Sequence, residues 1–541
     1  MPHSSPDSAV ERILKAMRQA DQTGNQAALL RQYEKFLKLR PDNAKARAEA
    51  ARLYLQHGDL EKARPHVKKA LEAPYEEKVD SLLFPLMSLH DHYKDDLEGA
   101  RAWYGAAPNQ WRVQLFIKAL LKAERFTEAE PLLCQYLEQP QEPTLQAWLL
   151  TMLSECYHAM RRFPEAIACA QLVLEAKPDD HGALLQLGKN HEKLGRYSQA
   201  LEYFRQMLEK RSDDPDAHRH IASLMLKIGR FSEGWEHWEW RWAKSLSKQT
   251  QNFPIPEWQG EPLADKILIV WAEQGIGDEI MFASILPELS SVGGKIYYEC
   301  DKRLIPLFSR SYPSINFIPN TYKHVKRWPK ADYHIPAGNL CKIFRSSLDS
   351  FGSGVSYLAA DKNQANRKRL EYQKLFPEKR LIGISWRGGN AGTNKFSRSL
   401  KLEDMLPLAQ IKDLQLINLQ YGNTEEERKL LAGQFDIYLH NDIEIDPLKD
   451  IDAQAVQISA LDAVITIDNT TAHLAGALGT PTYILLPLDP DWRWGLETDK
   501  SYWYESVTLI RNPTPSDWKA SIETVQKKLS GIPGASAKEV H

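Results

Sequence analysis

Cysteine is scarce and badly placed for bridging. Five residues (Cys134, Cys156, Cys169, Cys300 and Cys341) are spread over 541, odd in number and without a Cys-x-x-Cys pair. That argues against a disulfide framework and a zinc ribbon, and suggests reduced thiols in a cytoplasmic protein. An excess of one charge is lacking too, with 69 Lys and Arg against 71 Asp and Glu. No electrostatic footprint for nucleic acid or an anionic membrane follows from that balance. No window reaches the ~18 apolar residues of a membrane span. The N-terminal stretch MPHSSPDSAVERILKAMRQA has no apolar signal core and already reads as a polar helix. Otherwise the composition is ordinary, 43% hydrophobic and 26% charged. The length suggests roughly three to four domains of ~150 residues.

Two patterns divide the chain. Up to about residue 245 the sequence reads as helix after helix, and part of it repeats at a spacing of 34: Arg161, Gly195 and Gly229; Phe163, Tyr197 and Phe231; Ala166, Ala200 and Gly234. Small residues in the last set suit two helices crossing closely. The last block runs into Trp235, Trp238, Trp240 and Trp242. Trp235, Trp238 and Trp242 share one helix face, which predicts a packed junction to the next domain. A proline-containing bridge, 252–266, comes next.

From Ile267 strands alternate with helices. Strands are predicted at 267–271, 295–300, 314–318 and 332–335, then at 381–386, 414–419, 436–439, 463–467 and 482–486. The reading is two Rossmann-like lobes facing a cleft, closed by a helix at 516–529 that packs back across both lobes.

Four loops carry candidate chemistry. Glu273-Gln274-Gly275-Ile276-Gly277-Asp278 links the first strand to a helix, a position where open α/β sheets hold ligands. Gly275 and Gly277 permit a sharp turn and close approach. Asp278 either caps the helix or does chemistry. In the second lobe Asp468-Asn469-Thr470-Thr471-Ala472-His473 follows strand 463–467; the helix N-terminus there suits a diphosphate. Arg387, Lys395 and Arg398 follow strand 381–386, as cations for a diphosphate or as a solvated basic loop. Gln420 and Tyr421 end the next strand ahead of Glu425-Glu426-Glu427. Tyr421 would stack on a base, while the glutamates suit either a sugar or a first helical turn. Trp492 and Arg493, after Asp489-Pro490-Asp491, read as a sugar- or acceptor-facing loop or as lobe packing.

The 34-residue register resembles the tetratricopeptide repeat, over roughly residues 8–243. That implies an all-α superhelix whose concave face holds a protein. The ordered motifs after strands 267–271 and 463–467, with Ser385-Trp386-Arg387-Gly388 and Pro490-Asp491-Trp492-Arg493-Trp494, resemble the heptosyltransferase-type, family 9 glycosyltransferases of GT-B fold, in their bacterial branch with N-terminal repeats. The resemblance implies a repeat domain at 1–245, an acceptor lobe at 246–370, a donor lobe at 371–515, and a helix and tail at 516–541. Asp278 becomes the general base of an inverting transfer. Asp468 to His473, with Lys395 or Arg398, hold the diphosphate of a nucleotide sugar. Glu273 to Gly277 and the Trp492-Arg493 loop face acceptor and sugar. No cofactor and no metal are expected, because cations do that work. The family's Asp-Thr-Gly is Asp468-Asn469-Thr470 here, and the adenosine-side motif is only loosely matched, so the donor nucleotide stays open. Repeats joined to GT-B also resemble the nucleocytoplasmic O-GlcNAc transferases in architecture. The expected acceptor is therefore a protein, flagellin or another surface protein. A lipopolysaccharide heptosyltransferase and a non-catalytic scaffold are the other readings.

Overall fold

A computed structural model describes residues 6–57, 59–72, 97–106, 110–243, 254–320, 330–352, 356–388, 398–514 and 517–530. Backbone contacts divide the chain into two units, Met1–Asn190 and His191–His541. Among the described residues no helix is long and apolar enough to cross a membrane.

The first unit is helical, from Pro6–Gln22 to Phe163–Ala176 and into His181–Lys193. Its repeat register has a physical reading. Helix Pro143–Ala159 ends at Met160, and Arg161 then takes φ +62°, the left-handed step that turns a chain out of a helix. Phe163 opens the next helix. Ala166 is fully buried, and its carbonyl accepts a 2.7 Å hydrogen bond from Ser154 Oγ, so the two helices cross where the side chain is small.

The second unit repeats these devices. Gly195 and Gly229 take φ +71° and +80° ahead of helices Tyr197–Lys210 and Phe231–Trp238. A Cβ on Gly234 would lie 2.6 Å from Leu226 Cδ2, so this crossing with helix Pro215–Lys227 needs glycine. Trp235 and Trp238 in that last helix are core, while Trp240 and Trp242 after it are half-buried. Trp235 is 1% exposed, and its indole N–H donates to the Arg345 carbonyl at 2.7 Å. Trp235 and Trp238 both meet Trp492 edge-on, with ring centroids 5.6 and 5.2 Å apart. Trp242 lies 5.1 Å from Trp271. The junction is thus packed from both sides.

Two parallel sheets form the rest. The first contains β1 (Ile267–Trp271), β2 (Lys295–Cys300), β3 (Asn316–Pro319) and β4 (Tyr333–Pro336), in the order β3-β2-β1-β4. The second contains β5 (Arg380–Ser385), β6 (Leu414–Asn418), β7 (Ala463–Ile467), β8 (Thr482–Leu486) and β9 (Val507–Arg511), in the order β6-β5-β7-β8-β9. Every residue of β5 and β7 is buried, as parallel strands covered on both faces must be.

Three expectations need correction. Residues 436–439 form no strand: Asp436, at φ +54°, ends helix Glu425–Phe435, and only His440 beyond it bridges to Ile417. β9 is an additional strand, pairing with β8 from Thr482↔Val507 to Leu486↔Arg511. The closing helix, Lys519–Ser530, buries Ile522, Val525 and Leu529, with Trp518 just before it, among apolar residues of the second sheet's lobe, so it belongs to that lobe's core.

Candidate active site

Strand order decides where a ligand fits. In β3-β2-β1-β4 the order reverses beside β1, and in β6-β5-β7-β8-β9 it reverses between β5 and β7. Crevices at the carboxyl ends of strands beside such reversals are the usual ligand sites of open α/β sheets. The loops after β1, β5 and β7 are the ones that carry the candidate motifs.

A cavity of about 800 Å³ opens there. Gly275 to Asp278 form one wall and Asp468 to Thr471 with His473 another, joined by Arg398, Tyr421 and Arg493. Helix Ile276–Phe282 packs on helix Thr470–Ala477. A Cβ on Gly277 would meet His473 Cδ2 at 3.1 Å, so this glycine serves the helix contact. Gly275 has φ −105°, and the left-handed residue of the turn is Gln274, exposed and at φ +63°.

Asp278 has two tasks in this geometry. Its Oδ2 accepts the Gly275 N–H at 3.2 Å, the capping bond, and its Oδ1 accepts from the Arg493 guanidinium. Arg493 also binds Asp491 Oδ1. Asp491 caps the turn Trp492–Trp494 by accepting the Arg493 N–H at 3.2 Å. Burial opposes the Asp491 charge, yet Arg493 outweighs it and holds the carboxyl below its usual range.

The β7 loop is tightly built. Asn469 accepts the Ala472 N–H at 3.3 Å and donates to Ser385 Oγ at 2.8 Å. Asp468 pairs with Arg398 at 3.3 Å, while burial and then Asp491 push its carboxyl up. His473 stacks on Trp494 with ring centroids 5.0 Å apart, and its Nδ1 lies 2.8 Å from the Tyr504 hydroxyl. Burial, reinforced by Arg493, pushes His473 down to about 3, so it is neutral and a poor base. Arg398 Nε is buried without a hydrogen-bond partner among the described residues.

Other candidates lie away from the cavity. Glu273 is buried, with Arg241 at 2.6 and 2.8 Å and the Gly338 N–H at 2.6 Å; its carboxylate fastens the loop and meets no acceptor. Arg387 is held by Glu427 at 2.8 Å and the Asn423 carbonyl at 2.7 Å, which occupies both charges. Gln420 Oε1 accepts the Trp386 and Arg387 N–H groups at 2.9 and 2.8 Å, so it ties two strand ends together. Trp492 is core, enclosed by the edges of Trp235 and Trp238. Lys395 lies outside the described residues.

Sequence reasoning missed the rest of the lining. Glu192, Lys193, Ser223 and Lys227 come from the repeat helices, with Arg303 and Gln454, and they line the cavity with Asp489 at the head of the Trp492-Arg493 loop. Lys227 is 2% exposed and reaches Glu192 at 3.0 Å and Asp489 at 2.6 Å. Lys193 holds the other oxygen of Asp489 at 2.5 Å. A lysine in the last turn of a helix reads from sequence as a solvated cation beside the helix dipole, so nothing local marks Lys227.

Comparisons with known proteins bear on both halves. Tetratricopeptide-repeat family models match residues 14–77 and 153–225. Protein FlbA of Caulobacter vibrioides is 28% identical over 311 residues, 54% of this chain and 52% of that protein. The chain thus spans about half the length of the curated relative it matches. Among solved structures, the glycosyl transferase family 9 protein of Veillonella parvula superposes with a TM-score of 0.35 and 13% identity, over 50% of this chain and 92% of that one. The E. coli ADP-heptose lipopolysaccharide heptosyltransferase II gives a TM-score of 0.34 and 15% identity, over 49% and 97%. This chain carries tetratricopeptide repeats ahead of a parallel-sheet α/β region.

Proposed function

We propose that the second unit is an inverting glycosyltransferase moving a sugar from a nucleotide diphosphate to a hydroxyl of a protein acceptor. One observation carries the reading: Asp278 and the N-terminus of helix Thr470–Ala477 face a single cavity at the reversal points of two parallel sheets. A diphosphate at Thr470 and Thr471 would meet free backbone N–H groups and the Nε of Arg398, which has no partner among the described residues. The raised carboxyl of Asp468 neutralises more readily beside that anion. Asp278 then takes the acceptor proton as its oxygen attacks the sugar's anomeric carbon, and the diphosphate leaves toward the helix N-terminus. Arg493 must release or share Asp278 when the acceptor arrives.

The repeats supply the protein-binding part of the proposal, and flagellin or another surface protein is the acceptor we would test first. Purified protein is incubated with a panel of nucleotide sugars with and without divalent metal, and co-expressed candidate acceptors are weighed by mass spectrometry. A mass increment of one sugar supports the reading. No nucleotide-sugar binding and no hydrolysis would favour a non-catalytic scaffold, and transfer to lipopolysaccharide alone a heptosyltransferase-like enzyme.

A further inference from the structure

The wall of the cavity that the repeats provide is charged, buried and connected to Asp278. Asp489 has both carboxylate oxygens occupied by repeat lysines, Oδ1 by Lys227 and Oδ2 by Lys193. Lys227 is the anchored member, since its side chain is 2% exposed whereas that of Lys193 is 30% exposed. Glu192 backs Lys227 from the preceding helix pair. Two residues beyond Asp489, past Pro490 with its fixed φ, Asp491 caps the Trp492–Trp494 turn and binds Arg493. Arg493 then reaches Asp278 in the other lobe. Helix Pro215–Lys227 also packs directly on the Trp492–Trp494 turn.

From this chain of contacts we infer that Lys227 is a positioning residue: acting through Asp489, it sets the 489–493 loop so that Arg493 meets Asp278. The inference rests on the reading of Asp278 as the base of a transferase. Its consequence is that the last repeats are part of the active site's frame, whatever else they bind. Without the Lys227 charge, Asp489 is a buried carboxylate held only by the more exposed Lys193. The loop then relaxes toward solvent and carries Arg493 with it.

The test uses the full chain and three variants: Lys227→Gln, Asp489→Asn and the two combined. Donor hydrolysis, KM for the nucleotide sugar and melting temperature are measured for each. Positioning predicts that kcat falls on the order of 10²-fold, the scale of a ~1 Å misplacement, while KM stays put. In the double variant Asp489 no longer carries a charge that needs Lys227, so melting temperature recovers in part, Glu192 alone having lost its cation, yet kcat stays low. Recovery of kcat together with melting temperature, or wild-type kcat in both single variants, overturns the inference. If the wild-type protein turns over no nucleotide sugar, the transferase reading fails by itself. A crystal structure of Lys227→Gln then decides the positioning alone: Arg493 displaced from Asp278 supports it, and Arg493 in place overturns it.

Discussion

Arg493, from the second lobe, donates to the Asp278 carboxylate of the first, so the candidate base is held by a cation from across the cleft. The same carboxylate caps its own helix through the Gly275 N–H. Chemistry and capping are thus combined in one side chain and must be separated by substitution. Asp278→Asn does so, because Asn caps about as well as Asp and offers Arg493 a carbonyl, while lacking basicity. Near-native melting temperature, intact nucleotide binding and at least ~10²-fold slower transfer are expected. Full transfer activity in this variant would reduce Asp278 to a cap, and neither Glu273, buried on Arg241, nor the depressed His473 is placed to replace it.

Arg398 tests the donor site. Its guanidinium pairs with Asp468 and keeps one buried nitrogen without a partner among the described residues. Arg398→Gln should weaken a nucleoside diphosphate by ~1–3 kcal/mol, the scale of one charge-assisted hydrogen bond. Isothermal titration with the diphosphate in the presence of a chelator reads it out. Equal affinity in wild type and variant would remove Arg398 from the site.

Buried acids give the protein a pH signature. Burial, outweighing the hydrogen bond from the Asp301 N–H, pushes Glu279 up to about 8 from 4.5. Between those values the folded chain keeps a proton that the unfolded chain has released. Stability from this residue is therefore full below about 4.5 and declines as pH rises toward about 8. His473 has the opposite sign: its depressed value of about 3 means that stability is full above 6.5 and declines as pH falls below it. The two oppose each other between 4.5 and 6.5, and above 6.5 only the glutamate slope remains. Urea midpoints across pH 5 to 8 should fall more steeply in wild type than in Glu279→Gln, a window set by the one-unit steps of linkage. Parallel curves would show that Glu279 titrates normally.

Local grammar made much of this legible. Strands β1 and β7 stand where apolar runs end at polar turns, Gly275 and Gly277 in the first and Asp468-Asn469 in the second, and those turns sit at the sheets' reversal points because strand, turn and helix fix the carboxyl end locally. The stretch 436–439 misled because Asp-Ile-Tyr-Leu alternates like a strand; in three dimensions Asp436 is a left-handed helix stop and Tyr438 is 65% exposed. Arg387 and Gln420 read as ligand donors because their partners, Glu427 and the backbone at 386–387, are assembled only when β5 and β6 pair. The Lys227–Asp489 contact spans 262 positions, and no local pattern encodes such a pairing.

The packing of the last repeats with the sheets sets where the chain can be cut. Helices Tyr197–Lys210, Pro215–Lys227 and Phe231–Trp238 belong to the second unit, and they carry Lys227 to Asp489 and Trp235 to Trp492. A chain starting at Phe231 loses Lys193 and Lys227 together with the helix that packs on the Trp492–Trp494 turn, so the 489–493 loop loses its anchor. It should express poorly or lose donor hydrolysis. A chain starting at His181 keeps the whole helix His181–Lys193 and all three after it, and should hydrolyse donor at the full-length rate. If the removed helices select the acceptor, the same truncation transfers sugar to a protein much more slowly while its donor hydrolysis is unchanged. Parallel assays of hydrolysis and protein transfer on both truncations separate the two roles. Equal protein transfer by the His181 variant and the full chain would show that residues 1–180 do not choose the acceptor.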